Sequence, residues 1–468
     1  MQRLNHGMME RYDIPNHVPA AVRAVQFGLG ETLLGVADRL VDEACPSLGI
    51  ACVRPDAPHG GEGADPAALL NEQEGLYTIL VRGYEGETPV KREVVVQSIL
   101  RVVDGEGLSD LAREPGLALG LIDADSAAPE AVLRNAARLL SLRRDAGLGG
   151  LALLCLGEGD DTADRVRRAL LDLAPGEGFS QWLEDECAFL PALADGLARR
   201  ADAKEAARQC AEMNYADGML HLAEPYARLT IQAPEDFRAR WPLDNAGHVA
   251  FVDDLAPALA EKRRLFDAGL FAMAAPGWLL GCDTLADCMR HERLREFVGR
   301  TYNEELLPAD ADARRAVAPR VIQAFERFEN PLDRNGLLES SRPLLRRFTR
   351  AVLPLIRAWA EESFEPPRRL AFALAATIML YAGARPNSEG RYEVYRGTQV
   401  QPLEDDPAAL SVFATLSHDM PPEALAYAAL ADRELWHGAD LRDIDGLEAR
   451  VALDIANLQR KPDYLPED

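Results

Sequence analysis

The stretch Ala24-Val25-Gln26-Phe27-Gly28-Leu29-Gly30 decides the fold of this chain. Its first four residues form a short strand candidate, and Gly28 and Gly30 form a Gly-x-Gly turn. Apolar residues then recur at helical spacing over residues 31–43, and residues 50–53 are the next strand candidate. Strand, glycine turn and helix open a nucleotide-binding βαβ unit, because the turn lets the backbone approach a pyrophosphate at the helix N-terminus.

Two details also allow an ordinary structural interpretation of this turn. Leu33 stands where Gly-x-Gly-x-x-Gly has its third small residue, and a tight strand-to-helix turn needs the same first two glycines. Glu31 would also place a negative charge beside a bound phosphate. Asp56, about 25 residues after the turn, is where an acid would bind the cofactor ribose, although Asp is also common in turns. The predicted cofactor-binding residues here are Gly28, Gly30 and Asp56.

Beyond this turn, alternating strands and helices predict a doubly wound sheet in the first half of the chain. Strand candidates lie at residues 76–81, 94–100, 117–122 and 151–156, with helical stretches at 129–142 and 162–173. Gly83, Gly86 and Pro89 separate the first two of these strands, which predicts an inserted hairpin.

After about Phe251 the sequence pattern becomes mostly helical. Helical spacing covers residues 258–275, 284–302, 313–328, 344–362, 368–382, 407–415 and 422–435, with breaks at Pro366-Pro367 and Arg385-Pro386-Asn387-Ser388. The sequence therefore predicts an α/β protein. A Rossmann-type doubly wound domain is expected over residues 1–250, and a mostly α-helical domain over residues 251–468.

Composition and charge exclude several classes of protein. The formal net charge is −25, from 76 acidic and 51 basic residues, so a nucleic-acid backbone would be repelled. No stretch reaches the ~20 uncharged apolar residues of a membrane span. Residues 1–16 mix charges and lack the apolar core of a signal peptide. We therefore expect a soluble, cytoplasmic protein that binds neither nucleic acid nor a membrane.

The cysteines and histidines predict no metal site. The seven cysteines are odd in number and include no Cys-x-x-Cys pair, and the spacing of Cys282 and Cys288 matches no usual metal motif. The eight histidines are scattered without ligand spacing. Reduced, mostly buried thiols are expected.

Segments spread over nearly the whole chain match one family. They are Gln26-Phe27-Gly28-Leu29-Gly30, Ala37-Asp38-Arg39-Leu40-Val41-Asp42, Leu70-Asn71-Glu72-Gln73-Glu74-Gly75-Leu76-Tyr77-Thr78, Ser98-Ile99-Leu100-Arg101-Val102, Ala223-Glu224-Pro225-Tyr226, Val252-Asp253-Asp254-Leu255, Asn330-Pro331 and Leu435-Trp436. They resemble the polyol-specific long-chain dehydrogenases, and the tagaturonate reductase branch in particular. The resemblance implies NAD or NADP as cofactor, a small-molecule sugar acid or polyol as substrate, and an active site between the two domains.

The family's catalytic run has the form K-x-x-x-x-N-G-x-H, in which the lysine is the general acid/base and the Asn and His polarise the substrate oxygen. Here Lys262 is retained, while Asp267 replaces the asparagine and Leu270 the histidine. A carboxylate repels a developing alkoxide, and a leucine side chain cannot hydrogen-bond it. Losing one such donor costs on the order of 100-fold in rate. The resemblance makes Lys262 and Asp267 the catalytic candidates.

Other polar positions of the family have also changed. Leu34 replaces an arginine after the glycine turn, and Asp123-Ala124 replaces an Asn-Thr pair beside the nicotinamide. Asp123 is therefore a further cofactor-side candidate. The family's other polar runs align with Pro191-Ala192-Leu193-Ala194-Asp195-Gly196 and Pro343-Leu344-Leu345-Arg346-Arg347, and Asn335 stands in place of a histidine.

Two functions remain open on the sequence. One is an active oxidoreductase with a rebuilt pocket, in which Lys262 moves the proton and Asp267 orients it, because a desolvated lysine can act as a general base. Lys262 also lies in the charged run Glu261-Lys262-Arg263-Arg264, which is typical of a solvated helix start. The other function is that of a catalytically inactive pseudoenzyme that serves as a binding, regulatory or partner subunit.

Overall fold

The computed structural model describes residues 1–55, 65–86, 88–126, 128–174, 176, 178–331 and 335–466. It divides into two compact units, Met1–Leu259 and Ala260–Asp468. Each unit is described by itself below.

The first unit is built around an eight-stranded sheet. The strands of the unit are β1 (Gln2–Arg3), β2 (Val22–Phe27), β3 (Gly49–Val53), β4 (Tyr77–Glu85), β5 (Thr88–Val96), β6 (Ile99–Val103), β7 (Leu119–Asp123), β8 (Ala152–Leu156), β9 (Ala188–Asp195), β10 (Ala198–Arg200), β11 (Tyr215–Ala216), β12 (His221–Ala223), β13 (Arg228–Gln232) and β14 (Val249–Val252). The main sheet has the order β14-β13-β9-β8-β7-β2-β3-β6. The six neighbouring strands β9, β8, β7, β2, β3 and β6 all pair in parallel. The glycine turn follows β2 at the centre of this sheet, which confirms the predicted α/β architecture.

Helices pack on both faces of the main sheet. The helices of the unit are α1 (His6–Arg11), α2 (Asp38–Ala44), α3 (Pro66–Glu72), α4 (Leu108–Ala112), α5 (Pro129–Asp145), α6 (Thr162–Leu173), α7 (Phe179–Glu186), α8 (Ala203–Met213) and α9 (Glu235–Arg240), with a π-helical turn at Thr32–Ala37 and a 3-10 turn at Leu243–Ala246. Successive strand residues point to opposite faces, so Ala24 packs in one apolar cluster with Leu40, and Val25 in the other with Val132. The near-complete burial of strands such as β3 is typical of parallel sheets.

A second sheet in the same unit has the order β10-β12-β4-β5. The antiparallel pair of β4 and β5 confirms the predicted hairpin. The predicted strand at residues 94–100 is two strands instead, because β5 ends at Val96 in this sheet and β6 begins at Ile99 in the main one.

The second unit is mainly helical, as predicted. Its helices are α10 (Ala256–Lys262, which begins in the first unit), α11 (Ala268–Leu279), α12 (Leu285–Arg290), α13 (Glu292–Arg300), α14 (Ala311–Phe328), α15 (Leu337–Ser341), α16 (Leu344–Arg347), α17 (Leu353–Ser363), α18 (Arg368–Ala382), α19 (Pro407–Phe413), α20 (Pro422–Ala431) and α21 (Leu447–Arg460), with a 3-10 turn at Leu441–Asp443. The most buried helices are α11 and α18, which are apolar on nearly every side. Among the described residues, no helix is long and apolar enough to cross a membrane.

Three strands in this unit were not predicted. β15 (Arg385–Pro386), β16 (Tyr392–Arg396) and β17 (Gln399–Pro402) form an antiparallel sheet. The break predicted at residues 385–388 begins with β15, which is an edge strand of this sheet. Strand pairs this short carry too few alternating apolar residues to show in the sequence pattern.

Among the described residues of this unit, π-helical turns lie at Arg263–Asp267, Thr301–Leu306 and Phe348–Val352. The first and third interrupt stretches that were predicted as continuous helices, and the second continues past the end of the stretch predicted at 284–302. The first joins α10, which ends at Lys262, to α11, and it ends at Asp267.

Candidate functional site

The glycine turn of the first unit brings three of the predicted cofactor residues together. Gly28 has a φ of +111°, which L side chains rarely adopt, and its N–H donates to Val53 O at 3.0 Å. Gly30 O accepts from the N–H groups of Leu33 and Leu34 at 3.1 and 2.9 Å, which starts the following helix. A Cβ on Gly30 would lie 3.6 Å from Asp123 Oδ2. Asp123 therefore lies beside Gly30, the second glycine of the turn that Gly28 opens, whereas Asp56 lies outside the described residues.

Asp123 is a nearly buried carboxyl at the end of β7. Burial raises its pKa to about 6, against hydrogen bonds from Asp125 and Thr32 that lower it, while the charges of Asp125 and Glu158 raise it further. The Asp125 N–H donates to Asp123 Oδ1 at 3.1 Å. The Asp123 carboxyl beside the glycine turn therefore takes up a proton more easily than an exposed aspartate.

Glu31, which the sequence suggested would repel a phosphate, is paired with a buried histidine. Its carboxylate lies 3.2 Å from His221 Nε2, and His221 Nδ1 lies 2.6 Å from Met219 O. Both partners are acceptors only, so both ring nitrogens must carry protons and His221 is an imidazolium. Burial would lower the pKa of His221, but the charge and hydrogen bond of Glu31 raise it above its ordinary value. The charge of Glu31, which is 47% exposed, is thus balanced by a buried imidazolium.

Below the turn lies a buried polar network. The Gln26 amide donates to Gly28 O at 3.3 Å and to Asp38 Oδ2 at 3.2 Å. The Tyr77 hydroxyl lies 3.3 Å from the same Asp38 oxygen, and its ring meets His221 edge-on at 5.4 Å. Burial raises the pKa of Asp38 to about 7, although Gln26 and Tyr77 lower it. Through the bond from Gln26 to Gly28 O, this buried network holds the backbone of the glycine turn.

In the second unit, the π-helical turn brings the two predicted catalytic residues together. Lys262 Nζ donates to both carboxylate oxygens of Asp267, each at 2.9 Å. The residues are five apart, which on an α-helix would point them about 140° away from each other. Here the Ala268 N–H donates to Arg263 O, five residues back, and the wider turn places positions i and i+5 on one face.

Both members of this pair are buried, and a third charge joins them. Lys262 is 9% exposed and Asp267 2%, which excludes the surface-lysine interpretation. The Arg347 guanidinium donates to Asp267 Oδ1, and its Nε donates to Ser341 O at 3.1 Å. Two cations thus share one carboxylate, so the three groups together carry a net positive charge. The sequence placed Arg347 in a changed family run but gave it no role in the site.

Neighbouring side chains hold the π-helical turn in place. The Tyr302 hydroxyl donates to Leu265 O, and a Cβ on Gly269 would collide with that hydroxyl. The Arg327 guanidinium lies 3.6 Å from the Phe266 ring centroid, and Lys262 Nζ lies 6.0 Å from the same centroid. Within the described residues, no group of three or more His, Cys, Asp or Glu side chains could hold a metal ion.

Comparisons with known proteins agree with this architecture. No protein-family model matches the chain. The altronate oxidoreductase of Bacillus subtilis (strain 168) is 25% identical over 485 residues, covering 97% of this chain and 95% of the relative. The altronate oxidoreductase of Yersinia enterocolitica is 27% identical over 465 residues, covering 92% of both chains.

Two solved structures share the fold over nearly the whole length. The ternary complex of Pseudomonas fluorescens mannitol 2-dehydrogenase with NAD and D-mannitol has a TM-score of 0.74 at 16% identity, covering 99% of this chain and 98% of that one. A substrate-free D-sorbitol dehydrogenase has a TM-score of 0.69 at 17% identity, covering 99% of both chains.

The chain has a dehydrogenase fold with a Rossmann-type N-terminal domain. The features that define this fold are the main sheet, the glycine turn after β2 and the helical second unit. Within that class, the curated relatives confirm the resemblance that the sequence motifs indicated. Over nearly its whole length the chain is therefore similar to the polyol-specific long-chain dehydrogenases, and its resemblance to the tagaturonate reductase branch is supported by the altronate oxidoreductases.

Proposed function

We propose that this chain is an NAD- or NADP-dependent oxidoreductase that acts on a small sugar acid, polyol or related hydroxy or keto compound. Residues 1–250 would bind the dinucleotide, and residues 251–468 would bind the substrate. The observation that carries the proposal is the buried Lys262–Asp267 pair, which the π-helical turn holds together. The altronate, mannitol and sorbitol named for the relatives and neighbours support the substrate class.

The residues of the glycine turn fit a dinucleotide. Gly28 and Gly30 leave the backbone open for a pyrophosphate at a helix N-terminus, and His221 balances the charge of Glu31 there. Asp123, with a pKa raised by burial to about 6, is the group nearest to Gly30 that would oppose an anion. When bound, NAD or NADP supplies the hydride or accepts it.

Lys262 is the proposed proton donor and acceptor. In reduction its ammonium gives a proton to the substrate carbonyl oxygen, and in oxidation its amine takes the hydroxyl proton. Asp267 orients the amine from two equal contacts, and Arg347 offsets the negative charge of Asp267. A developing alkoxide would therefore meet net positive charge, although the family's asparagine and histidine are replaced.

One observation favours the second function, that of an inactive binding or partner subunit. Asp267 already accepts from Lys262 and Arg347, and Leu270 offers an incoming oxygen no side-chain hydrogen bond. A protein that only binds a ligand or a partner would not need these charged side chains to be free to contact a substrate oxygen.

Calorimetry with NAD, NADH, NADP and NADPH tests the proposal first. We expect one of the four to bind, because the glycine turn keeps its backbone geometry. Absence of binding heat for all four would sink the oxidoreductase proposal and leave the pseudoenzyme.

The role of Lys262 is tested by substitution once a cofactor and a substrate are identified from D-altronate, D-mannitol and D-sorbitol. Lys262→Ala should lower kcat by about 100-fold or more, since general acid–base catalysis contributes that much. Cofactor affinity should stay unchanged, because Lys262 lies outside the glycine turn. The matched control is Lys91→Ala, an exposed lysine paired with Glu212 at 2.9 Å, which should keep full activity. Equal turnover in both variants would remove Lys262 from the mechanism.

A further inference from the structure

The second unit brings two cysteines to a single glycine. The Cys282 N–H donates to Gly277 O at 2.9 Å, at the turn that ends α11. A Cβ on Gly277 would lie 2.5 Å from Cys288 Sγ, so this sulfur rests directly on the glycine backbone. The Cys282 backbone and the Cys288 sulfur therefore both contact Gly277, although six positions separate the two cysteines along the chain.

The surroundings of the two thiols differ. Cys282 is 4% exposed and lies between the exposed residues Gly281 and Asp283, whereas Cys288 is fully buried in α12. The Arg396 guanidinium donates to Cys282 O at 3.0 Å and brings a positive charge to this turn. A hydrogen bond from Cys288 lowers the pKa of Cys282, and the charge of Arg396 lowers it further, against burial and the charges of Asp287 and Asp283. The same contact raises the pKa of Cys288.

This asymmetry matches a reactive thiol beside a resolving one. A thiol near a cation and close to the surface forms the thiolate that reacts with oxidants, and an inner neighbour can then displace the oxidised sulfur. Cys45 and Cys187 are partly exposed, and Cys52, Cys155 and Cys210 are buried. Within the described part of the chain, none of these five thiols forms a hydrogen bond with a second thiol.

We infer that Cys282 and Cys288 are a peroxide-oxidisable dithiol that closes to a disulfide across Gly277. The Cys282 thiolate attacks one oxygen of hydrogen peroxide, the O–O bond breaks, and a sulfenic acid and hydroxide form. The Cys288 sulfur, as it gives up its proton, then attacks the Cys282 sulfur, the S–O bond breaks and water leaves. In total two thiols lose two hydrogens and two electrons, and one peroxide becomes two waters.

The test uses the full-length reduced protein, treated with hydrogen peroxide, then denatured, alkylated and digested with trypsin. The peptide of residues 265–290 holds both cysteines, and the peptide of residues 145–165 holds Cys155 as an internal control. After peroxide we expect the first peptide to lose two hydrogens in mass and to escape alkylation. Dithiothreitol should restore its alkylation, and the Cys155 peptide should be alkylated equally before and after peroxide.

Two variants identify the partners. Cys288→Ser should leave Cys282 as a sulfenic acid that dimedone traps, and Cys282→Ser should leave the peptide unchanged by peroxide. Circular dichroism of both variants shows that they fold. Full alkylation of the peptide after peroxide, or the same loss of two hydrogens in either variant, would overturn the inference.

Discussion

At position 267 a carboxylate stands where this family has an amide, and its effect depends on the charges beside it. Alone it would repel a developing alkoxide, but Lys262 and Arg347 both donate to it. Glu31 shows the same dependence, since its charge is balanced by the buried imidazolium of His221. At the residue scale, the sign of one side chain therefore says little until its partners are known.

Removing Arg347 should leave Asp267 with Lys262 as its remaining cationic partner. For Arg347→Ala we expect kcat to fall by about 10- to 100-fold, because the second positive charge that would stabilise the alkoxide is lost. KM should change less, since Asp267 and Lys262 remain in place. Steady-state kinetics on the active substrate measures both constants. Arg357→Ala, on an exposed part of α17, is the control, and an equal loss in that variant would contradict the assigned role.

Sequence comparison could single out Lys262 and Asp267 as catalytic candidates, because both lie in one short run that aligns with the family's catalytic run, and the structure pairs their side chains. It could not pair Glu31 with His221, since β12 and the glycine turn meet only when the second sheet forms. Arg347 was visible as a changed position, but only the fold brings it to Asp267. The site therefore followed from the sequence where its residues are neighbours in the chain, and not where folding brings them together.

At the scale of elements, periodicity predicted which segments are helical but not how they are wound. Residues 258–275 have continuous helical spacing, yet the helix widens at Arg263–Asp267. The helix that follows, α11, is apolar on nearly every side, so a one-residue shift leaves no visible break in the apolar pattern. What stabilises the wide turn is distant in sequence, because the Tyr302 hydroxyl donates to Leu265 O.

Gly269 should be required for this winding. Alanine has the better helix propensity, by about 1 kcal/mol, but a Cβ at position 269 would collide with the Tyr302 hydroxyl. We expect Gly269→Ala to lower the free energy of unfolding by about 1–3 kcal/mol, as overpacked sites do. Gly299→Ala is the matched control, because a Cβ there meets open space in α13, and this variant should gain up to about 1 kcal/mol. Urea denaturation measures both values, and equal gains would refute the collision.

At the scale of the whole molecule, the alternation of strands and helices was enough to predict the architecture. A sheet with helices on both faces followed by a helical unit is what those patterns predicted. Strand order was not predictable, because β2, β3 and β7 neighbour each other through crossovers that periodicity does not encode. The small sheet of β15 to β17 was missed for a local reason, namely the shortness of its strands.

The buried carboxyl Asp38 should make the stability of the whole chain depend on pH. Burial raises its pKa from 3.8 to about 7, so between these values the folded state binds a proton that the unfolded state has lost. The contribution of Asp38 to the free energy of unfolding is therefore fully present below about pH 4 and is lost as the pH rises through 7. Each unit of pKa shift corresponds to about 1.4 kcal/mol of that free energy. Asp38→Asn should lack this decline and gain relative to the native protein between pH 5 and about 8.

Urea denaturation across that pH range checks the expectation for Asp38. Asp110→Asn, at an exposed aspartate of α4, is the control and should follow the native pH profile. A profile for Asp38→Asn parallel to that of the native protein would show that Asp38 is ionised in the folded state across the range.

The π-helical turn at Arg263–Asp267 has a consequence for how such a site changes over generations. It holds one residue more than an α-helical turn, and that width is what lets two residues five positions apart face each other. Deleting one of the residues between Lys262 and Asp267 would leave the pair four positions apart, and an ordinary α-helical turn also places such positions on one face. A lineage could thus gain or lose the wide turn by a one-codon insertion or deletion and still keep the lysine beside the carboxylate.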